Sequence, residues 1–227
     1  MTKDARKVVI EGARRKEDEY TLDTTGFQFS RRPKHTRFQD DKEIKAEYYP
    51  ECMEIIKQLT GAARVIPFHH CMLSTCPLTQ SSTYPRYPGS YPSPESRWSQ
   101  WCFGTSPAFI NHPCRFHTTA FAISLLHKHF PNETPALLRN RLHITNLWRP
   151  ISCPAIDWPL ALCDCRSLDV DEDIKEATAL VANNMRGCQS LYMKYNPMHR
   201  WVYKSAMGPE DFMLFKWLVS LSMFCFN

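Results

Sequence analysis

The first twenty residues, MTKDARKVVIEGARRKEDEY, lack the apolar core of a secretory signal. A bilayer-spanning run is missing too: the C-terminal stretch FMLFKWLVSLSMFCFN is apolar, but Lys216 interrupts it and it is short for a membrane. These absences predict a soluble, cytoplasmic protein with no membrane partner. Charge of one sign is also scarce. The net charge is only +5, and Arg14, Arg15, Lys16, Arg31 and Arg32 are interleaved with Glu17, Asp18, Glu19, Asp40 and Asp41. That pattern is a solvated mixed-charge face, which argues against a nucleic-acid partner. The ten cysteines lack the spacing of a zinc site: Cys71 and Cys76 follow His69 and His70, Cys163 and Cys165 form a Cys-x-Cys, and neither set matches paired CxxC or HxxxH. In a reducing compartment they predict scattered, unpaired thiols.

What is present suits one globular domain. The 227 residues are 43% hydrophobic and 22% charged, enough to build a real core. EYTLDTTGFQF (19–29) has the composition of a strand pair bent at Gly26. YYPECMEIIKQLTGA (48–62) predicts a helix, with Pro50 in the first turn, apolar residues at 52, 55, 56 and 59, and Gly61 at the C-terminal cap. ARVIPF (63–68) follows as a short strand. TTAFAISLLHKHFP (118–131) predicts a second helix ended by Pro131, and a further capped stretch begins near Thr134 and Pro135. RLHITNLWRPI, WPLALCDCRSL, SLYMKYNPMHRWVYKS (broken at Asn196–Pro197) and GPEDFMLFKW read as four strands. Residues 141–217 are therefore expected to form antiparallel strands in one sheet or half-barrel, with the 50–60 and 119–130 helices outside it. The class is α+β.

Between these parts the pattern fails. Seven of the 17 prolines lie within residues 71–113, charge there is confined to Arg86, Glu95 and Arg97, and no helical or strand period survives. The sequence predicts an irregular, disordered insertion over 71–116 with little packing against its neighbours. The resulting division is 1–70, N-terminal strands and helix; 71–116, Pro/Ser-rich insertion; 117–217, the β core; and 218–227, an atypical apolar tail.

The combination NLWRPI, then DWPLALCD, then KYNPMHRWVYKSAMGPEDFMLFK resembles, in order and spacing, the fungal hydroxylase/desaturase family of secondary metabolism. EYTLDTTGFQF and YYPECMEIIKQLTGAARVI resemble the same family, so the match spans about residues 8–70 and 117–217. The resemblance implies an incomplete double-stranded β-helix, jelly-roll-like, with flanking helices. It also implies Fe(II) held by a His-x-Asp…His triad, 2-oxoglutarate as cosubstrate, and C–H oxidation of a small metabolite in a fungal biosynthetic pathway. His199 matches the distal histidine. Arg149 and Lys216 are candidates for the cosubstrate carboxylates, since a buried anion needs a fixed cation. From the residues alone each also has a structural reading: a turn residue, a surface charge, and a lysine at the rim of the β core.

The sequence departs from the family where the metal half-site belongs. Counting back from AISLLHKHFP, the His-x-Asp position falls on Cys114-Arg115-Phe116; His117 follows as the nearest candidate ligand but has no aspartate two residues on. The expectation is thus a centre with no carboxylate near His199, which should sit beside Arg149 and Lys216. Residues 71–116 and 218–227 are read either as translated non-coding sequence or as signs of a decayed paralogue, and a non-catalytic remnant or interaction protein is the rival to an enzyme.

Overall fold

The computed structural model describes residues 7–33, 40–68, 70–74, 97–102, 115–117, 119–151, 153–156, 159–178 and 189–216. At its centre is a five-stranded antiparallel sheet. Its strands are β2 (Phe27–Arg31), β3 (Cys71–Ser74), β4 (Arg97–Cys102), β6 (Thr145–Pro150) and β11 (Asp211–Lys216), in the order β2-β11-β6-β4-β3. All six residues of β6 are buried. Its side chains alternate between two cores, because successive residues of a strand point to opposite faces. Leu147, with Phe212 and Leu214 of β11, packs on Cys52, Ile55 and Ile56 of helix α2 (Tyr49–Thr60). Trp148 and Met213 face the other way, against Phe27, Phe29, Tyr20, Leu162 and Val202. A sheet covered on both faces reads as a nearly continuous apolar run, as FMLF of β11 does.

Helix α2 continues a helical run that begins at α1 (Asp41–Glu43), capped by Asp40, and passes through a π-helical segment, Ile44–Tyr48, so the helix starts upstream of the expected 48–62. Pro50 stands where the π-helical segment gives way to α2, and Gly61 closes the helix at φ +67° with its N–H on Lys57 O at 2.8 Å. Helix α3 (Thr119–His129) and the short α4 (Thr134–Leu137) also stand near the expected positions, although α4 has no side-chain cap bond. Two smaller sheets complete the fold. One has the order β1-β10-β7, from Ile10–Gly12, Trp201–Tyr203 and Ala161–Cys163, with β1 parallel to β10. The other has the order β5-β9-β8, from Arg115–His117, Gln189–Met193 and Ile174–Thr178. The last of these strands leaves a helical turn, α5 (Val170–Asp173).

Four expectations are corrected. Residues 63–68 form no strand, and 19–29 give one strand in place of a pair: Glu17–Glu19 is a 3-10 turn, 20–26 carry no strand, and β2 begins at Phe27. The strands of 141–217 do not share one sheet: β6 and β11 lie in the central sheet, β7 and β10 in the second, and β8 and β9 in the third. Segment 71–116 supplies β3 and β4, which join the central sheet through β6, and β5, which pairs with β9. The run RWSQWC of β4 contains no proline, and a ladder rewards the backbone whatever the side chains, so a proline-rich neighbourhood does not exclude it. Residues 75–96, 103–114 and the tail 218–227 lie outside the described residues. Among the described residues no helix is long and apolar enough to cross a membrane.

Gly26 is where the chain bends into β2. Its φ is +83°, and a Cβ built there would stand 2.4 Å from Cys165 Sγ. The approach is set by backbone bonds on both sides: Cys165 N donates to Thr25 O at 3.1 Å and Lys216 N donates to Gly26 O at 2.8 Å. Gly26→Ala is expected to cost about 1–3 kcal/mol in urea unfolding. Adding Cys165→Ala should return the steric share and leave the backbone share.

Candidate functional site

The segment NPMHRW forms a turn that carries His199 back toward α5. Asn196 organises it: its Oδ1 accepts from Met198 N at 3.0 Å and its carbonyl from His199 N at 3.1 Å. The His199 ring then reaches Asp173, with Nε2 and Oδ2 2.8 Å apart. The side chains are 2% and 4% exposed. Asp173 Oδ2 also accepts from Asp169 N at 3.0 Å, and the carboxylate takes Asn196 Nδ2 at 3.0 Å on Oδ1. Burial alone would raise the Asp173 pKa. The hydrogen bonds from His199, Asn196 and the Asp169 amide outweigh burial and leave it below the usual carboxylate value. Asp169 caps α5, accepting from Asp171 N and Glu172 N, both at 3.2 Å. An ionised carboxylate can only accept, so His199 Nε2–H donates to it.

The expectation of no carboxylate near His199 is therefore corrected. Asp173 lies 26 residues upstream in the sequence, in the run DVDED, which reads locally as solvated charge. A helix N-cap at Asp169 is legible there; the burial of Asp173 is not, because it depends on the turn at Asn196 folding over it.

Arg149 and Lys216 do not join this group. Strand alternation turns Arg149, with Leu147, toward α2, and the guanidinium is 1% exposed. Nη1 bonds Glu51 Oε1 at 3.3 Å, and Nη2 donates to Pro33 O at 3.1 Å and Pro209 O at 2.6 Å. The guanidinium carbon stands 5.8 Å from the centre of the Tyr48 ring. Lys216 pairs in register with Thr145, four residues along β6 from Arg149, which is about 13 Å of strand. Its Nζ meets Asp23 Oδ1 at 3.0 Å, and this bond holds the Asp23 carboxyl below its usual pKa. Nearby, burial pushes His143 down to about 4, with Lys216 and Arg141 adding to the shift. His199, Arg149 and Lys216 each have their own partners. Of the remaining candidates, His117 ends β5 in register with Ser190. Its side chain, that of Phe116, and Cys114 lie outside the described residues.

A two-histidine, one-carboxylate iron site needs three donors on one face of the metal. Among the described residues no three His, Cys, Asp or Glu side chains come together in that way. His199 and Asp173 are donors of the right kind, but the Asp173 carboxylate already accepts from Asp169, Asn196 and His199. The donors described do not fit an iron ion. A second buried charge, Lys204, is likewise matched inside the fold, 3.2 Å from both Asp211 and Glu17. Cys52, Cys163 and Cys165 are free thiols. Burial pushes Cys52 well up and Cys163 to about 12, so neither is a thiolate at neutral pH.

The chain is similar to known proteins over nearly its whole length. The family described as "Oxidoreductase/YMDC permease-like domain" matches residues 1–222. The hydroxylase/desaturase efuI of Hormonema carpetanum is 28% identical over 225 residues, covering 95% of this chain and 72% of the relative. The Fe(II)/2-oxoglutarate-dependent dioxygenase nvfI of Aspergillus novofumigatus is 27% identical over 216 residues, covering 92% and 69%. The hydroxylase/desaturase asaB of Aspergillus flavus is 36% identical over 95 residues, covering 37% and 41%. Among solved structures, the iron and alpha-ketoglutarate-dependent endoperoxidase NvfI superposes with a TM-score of 0.71 at 22% identity, covering 92% of this chain and 68% of that one, so the two share a fold. The chain belongs to the oxidoreductase/YMDC permease-like domain family, and its relatives are the fungal hydroxylase/desaturases and Fe(II)/2-oxoglutarate-dependent dioxygenases of secondary metabolism.

Proposed function

We propose that this protein is an oxidoreductase scaffold of the hydroxylase/desaturase type, built on an incomplete double-stranded β-helix, whose metal centre is not assembled in this chain. Its substrate class is a small apolar or peptide-derived metabolite of a fungal pathway, and its place is the cytoplasm, with no nucleic-acid or membrane partner. The relatives' names support the C–H oxidation chemistry. The observation that carries the second half of the reading is the commitment of His199 Nε2 to Asp173 at 2.8 Å, in a chain with Cys114-Arg115-Phe116 where the resemblance places His-x-Asp. The same commitment supports the rival reading, a non-catalytic remnant or interaction protein that retains the scaffold.

Anaerobic Fe(II) titration and succinate formation from 2-oxoglutarate test the proposal. The unaltered chain is expected to hold iron weakly and to release no steady succinate, since two neutral nitrogens without a free carboxylate give neither charge neutralisation nor a third facial bond. Cys114→His combined with Phe116→Asp is expected to raise iron retention. Stoichiometric, tight iron with steady succinate from the unaltered chain would overturn the reading.

A further inference from the structure

Among the described residues the most exposed large apolar side chain is Val9, at 86%, and it stands between two further exposed apolar residues, Val8 and Ile10. These residues lead into and begin β1. That strand is the outer member of its sheet, held by β10 on one side and unpaired on the other among the described residues. An open strand edge invites another strand, and natural proteins usually blunt such an edge with a proline, a bulge or a central charge. Here the centre is Val-Val-Ile and the charges stand at its two ends, Lys7 before it and Glu11 after it.

That arrangement is complementary to itself. We infer that this edge is a two-fold contact with a second copy of the chain, formed by antiparallel pairing of residues 7–11 about Val9. In that register Val9 faces Val9 of the other copy, Val8 faces Ile10, and Lys7 faces Glu11. The alternation of a strand keeps the pairs consistent: Lys7, Val9 and Glu11 share one face, Val8 and Ile10 the other. Each copy therefore presents an apolar pair flanked by two ion pairs on one side and a β-branched patch on the other, the kind of cross-strand pairs that stabilise a sheet. Parallel pairing in register would instead set Lys7 against Lys7 and Glu11 against Glu11. Glu11 is already held in place by Arg200, whose Nε and Nη2 bond its two oxygens at 3.3 and 3.2 Å. A carboxylate has lone pairs to spare, so a second cation can join without displacing the first. Because the contact is isologous, it closes at two copies and does not propagate.

Five residues per copy bury well under the roughly 1,200 Å² of a stable complex, so the dimer is expected to form and dissociate with concentration. Sedimentation velocity of the full chain from micromolar to millimolar concentration should show a shift from monomer to dimer. Val9→Lys places two ammonium groups face to face on the two-fold axis and is expected to weaken the dimer by about tenfold or more. Lys7→Glu sets glutamate against glutamate at both ends and should act in the same direction. Lys7 and Val9 are both exposed, so neither change reaches the core, and unchanged thermal unfolding checks this. Mixing the Lys7→Glu protein with a Glu11→Lys protein restores opposite charges at both ends of a mixed dimer, and the mixture should associate where each alone does not. A monomer at every concentration overturns the inference, as does a dimer that Val9→Lys and Lys7→Glu leave unchanged. A mixture no more associated than its components overturns the antiparallel register.

Discussion

Arg149→Ala is expected to remove about 3–5 kcal/mol of stability, the cost of deleting one member of a buried charged network. The largest share comes from groups left behind. The carbonyls of Pro33 and Pro209 lose their donor, and an apolar pocket opens between β6 and α2 beside Tyr48. Glu51 contributes less, because it is 31% exposed and water can replace its partner. Glu51→Gln should therefore cost under about 1 kcal/mol. Arg149→Lys should recover little, since one ammonium cannot span two carbonyls and a carboxylate with the guanidinium's fixed fork. The series separates two roles for the same residue. If Arg149 serves the fold, the urea midpoint falls sharply in the alanine and lysine variants. If it serves a dicarboxylate cosubstrate, the midpoint stays and only the thermal shift induced by 2-oxoglutarate disappears. The position of the side chain on the α2 face, away from His199, leads us to expect the first outcome.

The second large effect is at Asp173. Asp173→Ala strands His199 Nε2, Asn196 Nδ2 and the Asp169 amide together. With about 1–3 kcal/mol for each buried group left unsatisfied and partial relief by entering water, a loss of about 3 kcal/mol is expected. The turn that carries His199 should loosen first, because Asn196 and His199 both hang on this carboxylate. The pH dependence follows from the sign of the shift. The folded-state pKa of Asp173 lies below its ordinary value of 3.8. A group depressed by folding contributes fully above the unfolded-state value and loses that contribution as pH falls toward the folded one. The parent protein should therefore lose stability on acidification below about pH 4, and Asp173→Asn, which cannot titrate, should show a shallower acid limb from a lower plateau. Urea unfolding at a series of pH values reads both. Equal acid limbs for the two proteins would remove Asp173 from the explanation.

Several elements are legible in the sequence. Helix α2 is one, because Gly61 acts through its own backbone angle and the apolar spacing repeats within a turn. Helix α3 and strands β6 and β11 are legible for the same kind of reason: their signals reach no further than a few residues. β4 is not, since RWSQWC becomes a strand only when the edge of β6 is offered to it. Nor does the sequence tell that β9 and β10, eight residues apart, enter different sheets, because the Asn196 turn redirects the chain without altering its strand-like composition.

By itself the sequence determined the family, through ordered motifs whose spacing is a property of the chain and not of its folding, and it determined where helix α2 ends, because the glycine cap at Gly61 is local chemistry. Tertiary structure alone decided which groups surround the charged residues. Strand alternation turned Arg149 toward α2, where it meets Glu51 and Tyr48. Closure of the chain set a carboxylate 26 positions earlier in the sequence against His199. The character of a charged side chain is set by the groups that replace its water, and those groups are gathered by long-range closure of the chain, which no local pattern encodes.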